Sequence, residues 1–243
     1  MRRNLFQFSI VMFALLIVSA CGGKPERGSP EWDQALEDRE ILVESTDVEG
    51  SDLQVVTAIG VMDVPPDVAW QVFADVSDFK TFLWRMEDSI EYPHEGDERI
   101  IEFIVNAPAL AMGAGFNRIQ IKASLVSTEY DSGVRIGEFT MLEGNVARAY
   151  GSWRIEPWKG DKRSKVSFSM FIDFGDIYLP DSIVDYMSQV YLKDFLIAWG
   201  ENLREHVENP EYRIVYEQQA AKAAGKDPSK VGPNLEGVDD FLQ

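Results

Sequence analysis

The sequence predicts an α+β fold in which a curved antiparallel β-sheet wraps around one long C-terminal helix. Three observations predict it. Between residues 85 and 175, apolar and polar side chains alternate with period two, segment after segment, broken by turn clusters such as Asp131-Ser132-Gly133 and Lys159-Gly160-Asp161. Residues 181–207 then carry Val184, Met187, Tyr191, Phe195, Trp199 and Leu203 at spacings of three and four, the stripe of a helix laid across an apolar surface. The order along the chain is helix, two strands, helix pair, long meander and final helix.

Each element has a local cause. Ser29-Pro30-Glu31-Trp32 sets a hydroxyl N-cap before a proline and an acidic first turn, predicting a helix over 30–38. Residues 41–45 read as a short strand, and 53–64, rich in Val and Ile, as a longer one. Asp63, Pro65, Pro66 and Asp67 announce a second helix to about residue 75 with Val68, Val72 and Phe73 on one face, followed by a broken helical turn through Asp78, Phe79 and Phe82. In the meander, alternation places Ile101, Phe103, Val105 and Ala107 on one side, as it does Ile119, Ile121, Ala123 and Leu125. Gly151, Trp153 and Ile155 follow the same rule, as do Val166, Phe168, Met170, Ile172 and Phe174. One face of the sheet is therefore strongly apolar, and the helix over 181–207 is its cover. Beyond Pro210 the chain turns polar: 212–224 reads as an exposed helix and 225–243 as disordered.

The N-terminus carries an address. Arg2 and Arg3 precede a run over 5–18 that is apolar apart from Gln7 and Ser9, the length of a signal h-region and short for a membrane span. Val18-Ser19-Ala20-Cys21 fits a lipobox, which makes 1–20 a signal peptide and Cys21 the lipidated N-terminus of a bacterial lipoprotein. Cys21 is the only cysteine, so disulfides and cysteine-zinc sites are excluded from the folded part. Two or three acyl chains hold a protein on a bilayer where one does not. Gly22 follows, with no Asp to signal retention, which by similarity to sorted lipoproteins implies the periplasmic face of the outer membrane. The organisation is then signal 1–20, tether 21–28, one domain over 29–208 and an acidic tail over 209–243.

Hydrophobic residues make up 45% of the chain, a globular composition, and the net charge is -18. That charge excludes nucleic acid and a surface that hugs anionic lipid, leaving the acyl anchor and apolar surface as the membrane contacts.

The element order is that of the helix-grip fold, and local motifs agree. Trp32, Ile41-Leu42-Val43, Gly50-Ser51 and Val64-Pro65-Pro66-Asp67-Val68-Ala69-Trp70 leading to Phe73-Ala74-Asp75 resemble the opening of START-type lipid-transfer domains. Glu143-Gly144, Gly151-Ser152-Trp153-Arg154-Ile155-Glu156-Pro157, Asp173-Phe174-Gly175, Leu179-Pro180 and Leu203-Arg204 resemble their closing half. The chain thus resembles the START-like SRPBCC superfamily, whose members include quinone-binding proteins and aromatic polyketide cyclases. The resemblance implies an elongated apolar cavity between the sheet and the last helix, holding a lipid or another hydrophobic small molecule, sterol-like or quinone-like.

The lining this implies comes from three regions. The helix pair offers Trp70, Phe73, Phe79 and Phe82; the sheet offers Phe103, Ile119, Ile121, Met141, Trp153, Phe168, Met170 and Phe174; the last helix offers Met187, Tyr191 and Phe195. Ala107, Ala123 and Gly151 leave room between the large side chains, and methionines suit a ligand of irregular shape. The same side chains interdigitated into a solid core satisfy the pattern equally. Asn117 and Arg148 are the candidates for meeting a polar ligand head.

Catalytic signatures do not appear. His94 and His206 are far apart in sequence, and there is no phosphate loop, nucleophile elbow or Cys-His arrangement, so neither metal nor cofactor is expected. The leading expectation is a non-enzymatic, membrane-tethered binder or carrier. The alternatives are a cyclase-type enzyme using Tyr150, Tyr191 and Arg148, and an interaction module whose acidic tail over 208–243 recruits an envelope protein.

Overall fold

The computed structural model describes residues 25–94, 96–175 and 179–231. The signal segment, Cys21 and the end of the acidic tail lie outside the described residues, as does the first part of the tether.

Helix α1 (Pro30–Glu37) starts where the cap demands: the Ser29 hydroxyl accepts from the Trp32 N–H at 3.1 Å, and Pro30 occupies the first turn. Strands β1 (Leu42–Asp47) and β2 (Gln54–Met62) pair antiparallel. Helix α2 (Pro66–Ala74) turns Val68, Ala69, Val72 and Phe73 inward, and a 3-10 turn (Val76–Asp78) leads into the single helical turn α3 (Phe79–Phe82). The meander then runs β3 (Met86–Tyr92), β4 (Glu98–Asn106), β5 (Arg118–Glu129), β6 (Arg135–Gly144), β7 (Arg148–Pro157) and β8 (Ser164–Asp173). It is interrupted once by a short helix, α4 (Ala109–Gly113), which no sequence signal announces.

All eight strands form one antiparallel sheet in the order β1-β2-β8-β7-β6-β5-β4-β3, so the helix pair α2–α3 carries the chain from β2 to the far edge and the meander walks back. The alternation holds: Ile101, Phe103, Val105, Ile119, Ile121, Ala123, Leu125, Trp153, Ile155, Val166, Phe168 and Met170 are all buried on the concave face. The outer face is not uniformly polar. Trp32 and Leu36 of α1 cover Ile59, Val61 and Trp158 there, in a second small cluster.

The closing helical run has three parts: α5 (Asp181–Tyr186), a π-helical turn (Met187–Tyr191) and α6 (Leu192–Glu208). Met187, Tyr191, Phe195, Trp199, Leu203 and Val207 are all buried although they repeat at a strict spacing of four. In a helix of 3.6 residues per turn that spacing over-rotates by roughly 40° per step. The wider π turn rotates the stripe back and keeps Met187 and Tyr191 on the concave face. By contrast α5 buries none of its residues.

One expectation is corrected at the C-terminus. Helix α7 (Pro210–Ala223), capped by Asn209, is not exposed: it packs on α2 and buries Tyr216, Ala220 and Ala221. His206 is its latch, stacked 4.0 Å from the Phe82 ring and 4.1 Å from the Tyr212 ring, with Nε2 2.8 Å from the Tyr216 hydroxyl and 3.8 Å from the Asp78 carboxylate. Near the C-terminal end of α6, Arg163 bridges Glu37 and Asp63 at 2.7 Å each, tying α1 to the β7–β8 turn, although such exposed pairs contribute little individually.

Two predictions follow from packing and charge. A Cβ at Gly137 would lie 2.3 Å from the Trp153 indole nitrogen, so Gly137→Ala is expected to lower unfolding stability by about 1–3 kcal/mol in urea denaturation. Burial holds the His206 pKa below its ordinary 6.5 against the opposing pull of Asp78, so the unfolded chain takes the proton more readily than the folded one. The contribution of His206 is therefore complete above pH 6.5 and is lost as the pH falls through that value. Thermal unfolding is expected to shift downward between pH 7.5 and 5.5, with a shallower slope in His206→Gln.

Candidate functional site

The concave space between sheet and helix divides into two unequal halves. Toward the β7–β8 turn a stacked aromatic layer fills the middle, beside a small apolar pocket of about 20 Å³ between β2, β8 and α6 lined by Ala58, Met62, Val166, Phe168, Trp199 and Leu203. Phe73 stacks on Trp153 with centroids 5.5 Å apart, Trp153 stacks on Phe168 at 6.1 Å, and Phe168 meets Trp199 at 5.6 Å. Phe79 and Phe139 wedge against Trp153 from either side at 6.3 and 6.2 Å. Two glycines make this layer. Besides Gly137 beneath the indole, Gly151 lets Phe139 lie flat on the sheet, where a Cβ would come within 2.6 Å of its ring. The room that Gly151 was expected to leave for a ligand is therefore occupied by Phe139.

Toward the other end the packing relaxes. Phe103 and Val105 of β4, Ile119 and Ile121 of β5, Met170 and Ile172 of β8, and Tyr191, Phe195 and Trp199 of the closing helix, with Phe139 at the back, enclose an apolar cavity. Its free volume is about 20 Å³, room for one water molecule. The elements that close this end are the least anchored. Helix α4 fully buries only Ala111, α5 packs Ile183, Val184 and Tyr186 half-buried against the core without fully burying any residue, and Leu110, Met112 and Val190 project into solvent, with exposed Trp84 beside Tyr191 at 6.3 Å. Phe116 and Phe174 meet edge to face at 6.3 Å between these elements.

Tyr191 is the only titratable lining residue of this cavity among the described residues. Its hydroxyl donates to the Asn106 carbonyl over a long 3.3 Å. Burial pushes its pKa up to about 12, with Arg85 pulling the other way, so it stays neutral at physiological pH.

Of the residues nominated from sequence, the structure gathers Phe103, Ile119, Ile121, Met170, Tyr191 and Phe195 around the cavity. Phe73, Phe79, Trp153 and Phe168 belong to the solid aromatic layer. Phe174 and Met187 are buried, and Met141 and Trp70 pack half-buried against the core. Phe82 lies outside the cavity, stacked on His206 in a surface cleft. Neither polar candidate enters: Asn117 is exposed just before β5, and Arg148 stands on the convex face with its guanidinium 4.7 Å from the Phe171 ring. Tyr150 stacks on the same Phe171, also outside. Strand parity accounts for both, since residues 149, 151 and 153 face inward and 148 and 150 outward.

Phe139, Val105, Ile172 and Trp199 were not nominated but line the cavity. Phe139 was findable, because Gly137, Phe139 and Met141 alternate with Glu138 and Thr140. Among the described residues, no group of three or more His, Cys, Asp or Glu could hold a metal, and no helix is long and apolar enough to cross a membrane.

Comparison with known proteins agrees with this architecture. No curated protein sequence matches the chain significantly. Among solved structures, a STAR-related lipid transfer protein from Xanthomonas axonopodis superposes with a TM-score of 0.57 at 15% identity, covering 70% of this chain and 94% of that one. Human STARD10 gives 0.56 at 11% identity over 86% and 93%, and human StAR-related lipid transfer protein 5 gives 0.54 at 12% over 72% and 94%. These likenesses show the START-like helix-grip fold. The family model described as polyketide cyclase/dehydrase and lipid transport matches residues 62–198, more than half of the chain, and the protein belongs to that family.

Proposed function

We propose that this protein binds and carries a hydrophobic small molecule in the cavity between sheet and closing helix, without catalysis, while tethered to a membrane through acyl chains on Cys21. The observation that carries the reading is the cavity itself, a space walled by apolar side chains where the short helices α4 and α5 close the core. The family and the solved lipid-transfer proteins of the same fold support it. Against ring closure by acid–base groups, only Tyr191 of the three candidates Tyr150, Tyr191 and Arg148 faces inward, and it is held neutral.

A lipid-sized ligand needs a pocket of roughly 300 Å³ or more, so about 20 Å³ of free space means that entry displaces part of the wall. The part with least burial to lose is α4 together with α5. Tethering gives such an exchange an advantage, since a mouth held near a bilayer meets lipid at a high effective concentration. The lipobox and Gly22 support an outer-membrane, periplasm-facing location.

Three measurements test the reading. Native mass spectrometry of the purified chain is expected to show an extractable apolar molecule, and a chain that carries none and takes up no lipid probe sinks the carrier reading. Amide hydrogen exchange is expected to be faster over Asp181–Tyr186 than over Leu192–Glu208, and to slow on ligand addition. Metabolic labelling with an alkynyl palmitate is expected to mark the protein and to be lost in Cys21→Ala; label retained in that variant overturns the anchor.

A further inference from the structure

Arg85 lies near Tyr191 of the cavity wall and has no ion pair among the described residues. It precedes β3 in the left-handed backbone region, φ +60°, where a side chain other than Asn or Asp is uncommon and glycine sits without strain. The side chain is thus held at a conformational cost. Its Nη1 donates to the Ala107 carbonyl at 2.6 Å, and the plane of the guanidinium lies 4.8 Å from the Trp84 ring centroid. Its Nε is buried and has no acceptor among the described residues. Arg39, Arg99, Arg135 and Arg163 all pair with carboxylates, whereas Arg85 has no ion pair among the described residues of this strongly acidic protein.

A guanidinium cannot shed its charge, and a buried N–H without an acceptor is costly. The position therefore suits an acceptor that arrives with a ligand. Tyr191 joins this corner to the cavity: it lines the apolar space, it lies within electrostatic reach of Arg85, and its one hydrogen bond is long. With Nη1 engaged by Ala107, the Nε edge presents the fork that a carboxylate accepts with both oxygens.

We propose that Arg85 and the Tyr191 hydroxyl form a head-group site, and that the ligand is a single-chain amphiphile whose carboxylate binds there while its tail runs between Phe103, Ile121 and Met170. This rests on the carrier reading and names the ligand class it requires. Head-group selection places the tail end-on in the cavity and leaves the charged end at the rim beside Trp84, where it can return to a membrane surface.

The test uses the full chain in mild detergent, photolabelled with a diazirine-bearing palmitate and competed with oleate or with oleyl alcohol, which shares the tail but lacks the charge. Oleate is expected to compete at roughly 10-fold lower concentration or better. In Arg85→Met that ratio should fall to about one, in Tyr191→Phe it should fall partway, and in Arg148→Met, a change on the convex face, it should hold. Circular dichroism and thermal unfolding establish that each variant is folded, and Arg85→Lys supplies a second variant that keeps charge but loses the fork. Equal competition by the acid and the alcohol in the unaltered chain overturns the head-group site and leaves the carrier reading standing. A ratio that persists in both Arg85 variants also overturns the site. If no labelling is competed by either compound, the carrier reading fails and the head-group site with it.

Discussion

The stacked aromatic layer Phe73-Trp153-Phe168-Trp199 is the constraint on which the rest of the molecule depends. It joins α2, β7, β8 and α6, elements far apart in sequence, through ring contacts of 5.5 to 6.1 Å. Large buried rings contribute more than their area alone when offset or edge-on, and here they fix where the closing helix can sit. The layer exists because Gly137 and Gly151 bring ring faces down onto the sheet. The layer divides the free space of the concavity in two, a pocket against β2 lined by Ala58, Val166 and Leu203 and a cavity toward the other end between Ile119, Ile172 and Tyr191.

The closing helix then has two jobs along its length. Over α6 it is a core element, with Leu196, Trp199, Leu203 and Val207 buried and α7 braced behind it through His206 and Tyr216. Over α5 it is a cover with little to lose on opening. The π turn at Met187–Tyr191 divides the two regimes, and such turns are frequent where a helix carries function. The most deeply buried residues of the closing run thus lie in α6, and the least buried in α5.

Much of this was legible in residue order because period-two alternation is a strong signal over long strands. The large concave residues of β4, β5, β7 and β8, such as Ile101, Phe103, Ile121, Trp153, Phe168 and Met170, follow it and are buried. The Ser29 cap, the Pro66 helix start and the long stripe of 187–207 are equally local. What could not be read was which small residues leave empty space. Gly151 and Ala123 look alike in a pattern, yet whether a gap stays open depends on which ring across the sheet falls into it, a contact of long sequence separation. Arg148 and Asn117 lie outside the cavity for different reasons: strand parity puts 148 on the convex face, whereas Asn117 shares the parity of Ile119 but sits exposed before β5 begins. Arg85 was hidden for a different reason, since its importance lies in the absence of a carboxylate neighbour, which only three dimensions reveal.

A nearly closed interior fits the proposed carrier, which has to release as well as bind. An open, preformed pocket of several hundred cubic ångströms would hold a lipid tail tightly and part with it slowly, because removal would leave an unfilled apolar void. Here the wall leaves about 20 Å³, with Tyr191 and Phe195 meeting at 5.7 Å beside Met170, so little apolar surface lines free space. Affinity is then a difference between two packed states, modest by construction, and selectivity must come from a feature whose satisfaction differs between them. The Arg85 Nε, without an acceptor among the described residues, is such a feature under the proposed head-group site, where an acidic ligand supplies the acceptor.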